Sequence, residues 1–140
     1  MRQILLFAAL AASLALLSGC ALSEAKADTA EDMTGKAAYH KISAEEAYEM
    51  MASQEVVVVD VRTREEYDGG HIENAVLVPN ESIDSEMPEA LPDKEATLLV
   101  YCRSGRRSKD AAQKLLALGY QSVYDFGGVI DWPYELVKEG

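Results

Sequence analysis

Cysteine is scarce in this chain: 140 residues contain two, Cys20 and Cys102, so at most one disulfide can form. Histidine is as rare, with His40 near the end of a polar stretch and His71 alone in the remainder. Acyl transfer of the cysteine-protease kind needs a thiol with a partnered histidine, so only His71 is available to it. Positive charge is also in short supply: 13 basic against 24 acidic side chains give a formal net charge of −11 and an isoelectric point near 4.5. Such a surface repels phosphate backbones and argues against nucleic-acid binding. No apolar run reaches the ~20 residues that span a bilayer; the longest, Ile4 to Leu17, stops short.

That run follows Met1 and Arg2 and ends in Leu17, Ser18, Gly19, Cys20. A cationic start, a short apolar stretch and a small-residue cleavage site describe a secretory signal over residues 1–19. The LSGC quartet resembles the bacterial lipoprotein signal, which implies a diacylglycerol thioether on Cys20, a mature N-terminus there, and a lipid-anchored protein of the bacterial cell envelope. Lipidation consumes the Cys20 thiol and leaves Cys102 free. Residues 21–40, rich in Ala, Glu, Asp, Thr and Lys, read as a solvated linker with the lipidated Cys20 at its head. His40 reads as an exposed histidine.

The domain proper is expected over residues 41–140, within the size of a single core. Ser43 with Glu46, and Thr63 with Glu66, form two capping boxes, predicting a helix from Ala44 to about Ser53 and a short one over Arg64–Tyr67. A continuous β-branched run at Val56–Val59 predicts a strand buried on both faces, Thr97–Tyr101 another buried strand, and Ala75–Val78 and Val123–Phe126 two further strands. Ile83, Met87 and Leu91, spaced by four, predict a short surface helix. Ala111, Ala112, Leu115, Leu116 and Leu118 predict a longer helix ended by Gly119. Gly127 and Gly128 read as a tight turn, and Val129 to Val137 as a terminal helix interrupted by Pro133, with Trp132 and Tyr134 as core or helix-docking residues. Alternating strands and helices define an α/β class with a mainly parallel sheet and helices on both faces.

Against the acidic background, Tyr101–Ser108 reads YCRSGRRS, a thiol followed by a glycine and three arginines where a strand gives way to a helix. The C-terminal end of a parallel strand is where open α/β sheets place their ligand sites. A thiol beside cations at a helix N-terminus ionises more readily, and Gly105 lets successive N–H groups curl into a nest for an anion. Arg106 and Arg107 oppose the helix macrodipole, at roughly 0.3–1 kcal/mol each. An arriving anion reverses that penalty; the competing explanation is that these arginines pair with surface carboxylates. His71 has two readings as well, general base or structural hydrogen-bonding residue, and the latter is preferred because no partner stands at a matching spacing. A lone thiolate without a base suits sulfur transfer, in which it takes the outer sulfur of an anionic donor as a persulfide and hands it on.

Asp60, Val61 and Arg62 after the first long strand, Glu66 with Tyr67, Gly70, His71 and Ile72 before Asn74 and Ala75, the CRSGRRS loop, and Gly127, Gly128 with Trp132 together resemble the rhodanese family of sulfurtransferases over residues 41–140. The resemblance implies a five-stranded parallel sheet between helices, a persulfide on Cys102, and a cradle formed by the Arg103, Ser104, Gly105, Arg106 and Arg107 backbone. It implies an anionic donor such as thiosulfate bound by Arg103 and Arg107, with Arg106 a further candidate, a thiol or cyanide acceptor, and Asp60 and Arg62 organising the rim. Asn74 stands where the family has glycine, and asparagine tolerates positive φ. Neither metal nor cofactor is called for, and a monomer is expected. The same fold carries phosphatases with five residues between cysteine and an essential arginine; here that position is Ser108. A sulfur-carrier or partner-binding module of low turnover is the remaining alternative.

Overall fold

A computed structural model describes residues 37–139. The expected export signal, Cys20 and most of the expected linker lie outside the described residues. Five strands, β1 (Ala38–Lys41), β2 (Val57–Asp60), β3 (Val76–Leu77), β4 (Thr97–Cys102) and β5 (Ser122–Gly128), form one sheet in the order β1-β5-β4-β2-β3, every pair parallel. Three α-helices connect them: α1 (Ala44–Ser53), α2 (Arg64–Asp68) and α3 (Arg106–Ala117).

Both predicted capping boxes are formed. Ser43 and Thr63 each accept the N–H of the glutamate three residues on, and Glu46 and Glu66 reach back to the cap N–H groups. Gly119, at φ 97°, follows α3 as expected of a C′ residue.

The central strand β4 is buried on both faces from Leu98 onward, which is why its sequence is apolar from there. On one face Val59, Val61, Val100 and Val123 pack with Ala111, Ala112 and Leu115 of α3. On the other, Val58, Leu99, Tyr101 and Phe126 pack with Ala47 of α1 and Tyr67 of α2. At roughly 1.5–3 kcal/mol for each large apolar side chain fully withdrawn from water, these two layers supply the main driving force.

Four expectations are corrected. The linker reading extends to residue 40, yet Ala38–Lys41 is an edge strand paired with Ser122–Asp125. A four-residue strand held by a partner more than eighty residues away leaves no local periodicity. No helix spans residues 79–92: one 3-10 turn covers Asn80–Ser82, Ile83 and Leu91 are buried, and Met87 is exposed. Pro88 lies inside the expected helix and lacks the N–H it needs.

The terminal helix is likewise reduced to a 3-10 turn, Val129–Asp131. Beyond Pro133 the chain is irregular, and Val137 forms an antiparallel bridge with His71, with backbone bonds of 2.9 and 2.8 Å. Gly127 and Gly128 end β5 rather than making a separate turn. The β4–β5 register shifts there: Val100 faces Asp125 but Cys102 faces Gly128, the extra residue being taken up at Gly127 with φ 92°.

Trp132 packs in the second core beside Phe126, and Tyr134 stacks on Tyr48 of α1 at 3.9 Å, so these aromatics are structural as expected. Asn74 has φ 62°, a conformation asparagine tolerates.

Candidate active site

Cys102 ends β4 in the middle of the sheet, and α3 starts four residues later. The turn between them is made possible by Gly105, at φ 99°, whose N–H points back to Cys102 Sγ at 3.0 Å. The cysteine is 1 % exposed. Burial by itself raises the thiol's pKa, but the backbone N–H groups of Ser108, Gly105 and Ser104, with the Ser108 hydroxyl in reach, outweigh it, and the thiol lies below its ordinary value. The α3 first turn carries no acidic residue that would compete with an anionic sulfur.

The arginines divide. Arg107 is bound by both Glu66 carboxylate oxygens of α2, each at 2.8 Å. The pairing anticipated as the competing explanation is therefore what Arg107 makes, although its charge is still felt by Cys102. Arg107 holds the Glu66 carboxyl far below the carboxylate range, at about 2. Arg103 and Arg106 are exposed. Arg103 lines a concavity beside the loop together with Arg62, Glu66, Val129 and Ile130, and the Ile130 N–H donates to the Arg103 carbonyl at 3.2 Å.

Asp60 and Arg62, expected to organise the rim of the site, form a buried network beside it. Both are buried, with Arg62 Nη2 2.6 Å from Asp60 Oδ2, Nε bridging the two oxygens, and a further bond from Nη2 to the Gly70 carbonyl. The Tyr101 hydroxyl donates to Asp60 at 2.6 Å and accepts the Ile72 N–H. Burial and the Asp60 carboxylate push the Tyr101 phenol well above its ordinary value. This network fixes the strand end before Cys102 and the α2 segment carrying Glu66.

His71 is structural. Its ring stacks on Tyr67 at 3.6 Å, its Nδ1 bonds the Tyr67 carbonyl at 2.9 Å, and it is 4 % exposed. That leaves the thiol without an imidazole base from this side chain.

Sequence reasoning passes over Asp125. This carboxylate, 1 % exposed in β5, accepts the Ser108 hydroxyl at 2.7 Å and the Gly127 N–H at 2.9 Å on Oδ1. Its Oδ2 receives the Tyr39 hydroxyl at 2.8 Å and faces Lys41 Nζ at 3.3 Å. Burial and Asp125 raise the Tyr39 phenol to about 12, so it remains a donor. The signal in the sequence is an acidic residue inside an apolar strand. Gly128, expected to serve a turn, packs so closely against the Arg103 carbonyl and Ser104 nitrogen that any Cβ there overlaps them.

A thiol at the C-terminal end of a parallel strand, nested in N–H groups at a helix N-terminus, defines an α/β protein with a geometry suited to an anion or an anionic sulfur. Residues 43–133 match the rhodanese-like domain, and the chain belongs to that family.

Among curated proteins it is similar to a tRNA uridine(34) hydroxylase of Yersinia pestis, 31% identical over 106 residues that cover 72% of this chain and 30% of the relative. The chain thus spans about a third of that protein's length. Among solved structures it resembles a rhodanese with anions from E. coli, at 34% identity and TM-score 0.55, covering 61% of this chain and all of that one. It also resembles a thiosulfate sulfurtransferase from Pseudomonas aeruginosa, at 27% identity and TM-score 0.64, covering 73% of this chain and 21% of that one.

Proposed function

We propose that the protein is a thiosulfate:acceptor sulfurtransferase in which Cys102 carries the sulfur. The observation that bears most weight is the sulfur nested against the Gly105 N–H, with the thiol's pKa below ordinary despite deep burial. The Cys102 thiolate attacks the outer sulfur of thiosulfate, the donor's S–S bond breaks, and sulfite leaves with the bonding pair. A cyanide or thiolate acceptor then takes the outer sulfur from the persulfide and returns the thiolate. Sulfite departs as a stable anion, so neither step calls for the histidine base that this loop lacks.

Arg103 and Arg106 are the exposed cations that meet the donor, while Arg107 contributes its field from the Glu66 clamp. Similarity to the thiosulfate sulfurtransferase of Pseudomonas aeruginosa supports thiosulfate as the donor class. Intact-mass measurement after thiosulfate treatment is expected to show one added sulfur that cyanide removes. Absence of the adduct, or its persistence in Cys102→Ser, defeats the reading.

A second reading, a sulfur carrier serving a protein partner, is favoured by Ile130, which is 63 % exposed and lines the same concavity as Arg103. Brisk thiosulfate-dependent turnover with cyanide alone counts against it. The LSGC motif supports, as part of the same proposal, an enzyme tethered at the cell envelope through Cys20. Cys20→Ala is expected to release it from membranes, and unchanged association refutes the tether.

A further inference from the structure

The Ser108 hydroxyl has one proton and several takers. Asp125 Oδ1 lies at 2.7 Å, whereas the Gly105 and Gly127 carbonyls lie at 3.1 and 3.2 Å. The hydroxyl also contributes to lowering the pKa of the Cys102 thiol, but its hydrogen bonds go to these three oxygens. A bond to a buried carboxylate is charge-assisted and about twice as strong as a neutral one, so the proton belongs to Asp125. The remaining lobes of that carboxylate are filled by Gly127 N–H, the Tyr39 phenol and Lys41, which hold it oriented.

We propose that Asp125 is a positioning residue that keeps the Ser108 hydroxyl proton off the Cys102 sulfur, leaving the thiolate to be held by backbone N–H groups. The inference deepens the sulfurtransferase reading and rests on it for the thiolate's role. Its consequence is a limit on acidification of the thiol. A thiolate's nucleophilicity falls with its pKa, and the best attacking thiol titrates near ambient pH. The groups around this pair are Tyr39 and Lys41 from β1 and Arg107 of α3, which faces the sulfur and is itself paired with Glu66 of α2. None of the three competes for the hydroxyl proton, because each is a donor.

The test reads the pH midpoint of Cys102 alkylation by iodoacetamide on the full chain, quantified at the Cys102 peptide so that Cys20 does not interfere. Asp125→Asn replaces the charged acceptor by a weaker neutral one. The midpoint is expected to fall by about half a pH unit, roughly threefold in thiolate fraction. In Asp125→Asn with Ser108→Ala most of that fall is expected to disappear, and Ser108→Ala alone should change the fraction by less than about twofold.

A purely structural role for Asp125 predicts the opposite sign, because a loosened nest loses N–H donors and the midpoint climbs. That result overturns the proposal, as does an equal fall with and without the Ser108 hydroxyl, which marks a charge effect alone. Should Asp125→Asn fail to fold, Ser108→Ala decides by itself: a threefold loss of thiolate places the hydroxyl on the sulfur and refutes the assignment. Thiosulfate loading is scored separately, so the expected shifts in a protein that takes up no sulfur uphold this inference while removing the sulfurtransferase reading.

Discussion

Two buried carboxylates flank the strand that delivers Cys102, Asp60 on β2 and Asp125 on β5, and they are satisfied in different ways. Asp60 faces a full guanidinium two residues away, buried with it and closed by the Tyr101 hydroxyl. Asp125 gathers donors from three separate segments, and its one cationic neighbour, Lys41, is half exposed. The first arrangement binds two charges that neither side can release cheaply. The second ties the cysteine loop to the far edge of the sheet. Asp60 thus looks after the fold, and Asp125 after the geometry and titration of the sulfur.

The contrast breaks most completely at Gly128, where β5 touches the loop. Gly128→Ala forces a Cβ into the Arg103 carbonyl and Ser104 nitrogen, so the nest must move. A loss of about 100-fold in the rate of thiosulfate-dependent sulfur loading is expected, the scale of a misplacement near 1 Å. A loading rate within a fewfold of wild type shows that β5 does not position the loop.

Next in size is the stability difference between the two carboxylates. Asp60→Asn leaves Arg62 buried without its counter-charge and is expected to cost about 3–5 kcal/mol in urea unfolding. Asp125→Asn leaves Lys41 free to turn to solvent and is expected to cost only ~1–3 kcal/mol. Equal losses, or the reverse order, erase the proposed division of labour.

The smallest effect belongs to Glu66, whose clamp on Arg107 is partly exposed. Its folded pKa, about 2, lies below the unfolded value of 4.5, so its contribution is complete above the unfolded pKa and is lost as pH falls through the folded one. After allowance for solvent screening, wild type should exceed Glu66→Gln by up to about 1 kcal/mol near neutral pH. The gap should close as the acid titration approaches pH 2, and a gap that widens in acid contradicts the clamp.

Much of this molecule is written locally. Both capping boxes, the largely apolar β4 and the C′ glycine of α3 depend on residues within a few positions of one another, and each is formed as read. The Asp60–Arg62 pair is visible for the same reason, although its burial is not. Expectations fail where distant segments decide: β1 exists because β5 offers an edge, and Val137 is extended because His71 pairs with it. From its neighbours in sequence Arg107 is a ligand for an incoming anion; in the fold α2 brings Glu66 to it.

By itself the sequence determined that a single cysteine would end a buried parallel strand, followed by a glycine-permitted turn and a helix N-terminus. Period, propensity and backbone freedom act over a few residues and need no partner. Only the tertiary structure decided which charges are spent on one another and which stay available, because that depends on distances of a few ångströms between groups dozens of residues apart. The commitment of Arg107 to Glu66 and of the Ser108 proton to Asp125 is of that second kind.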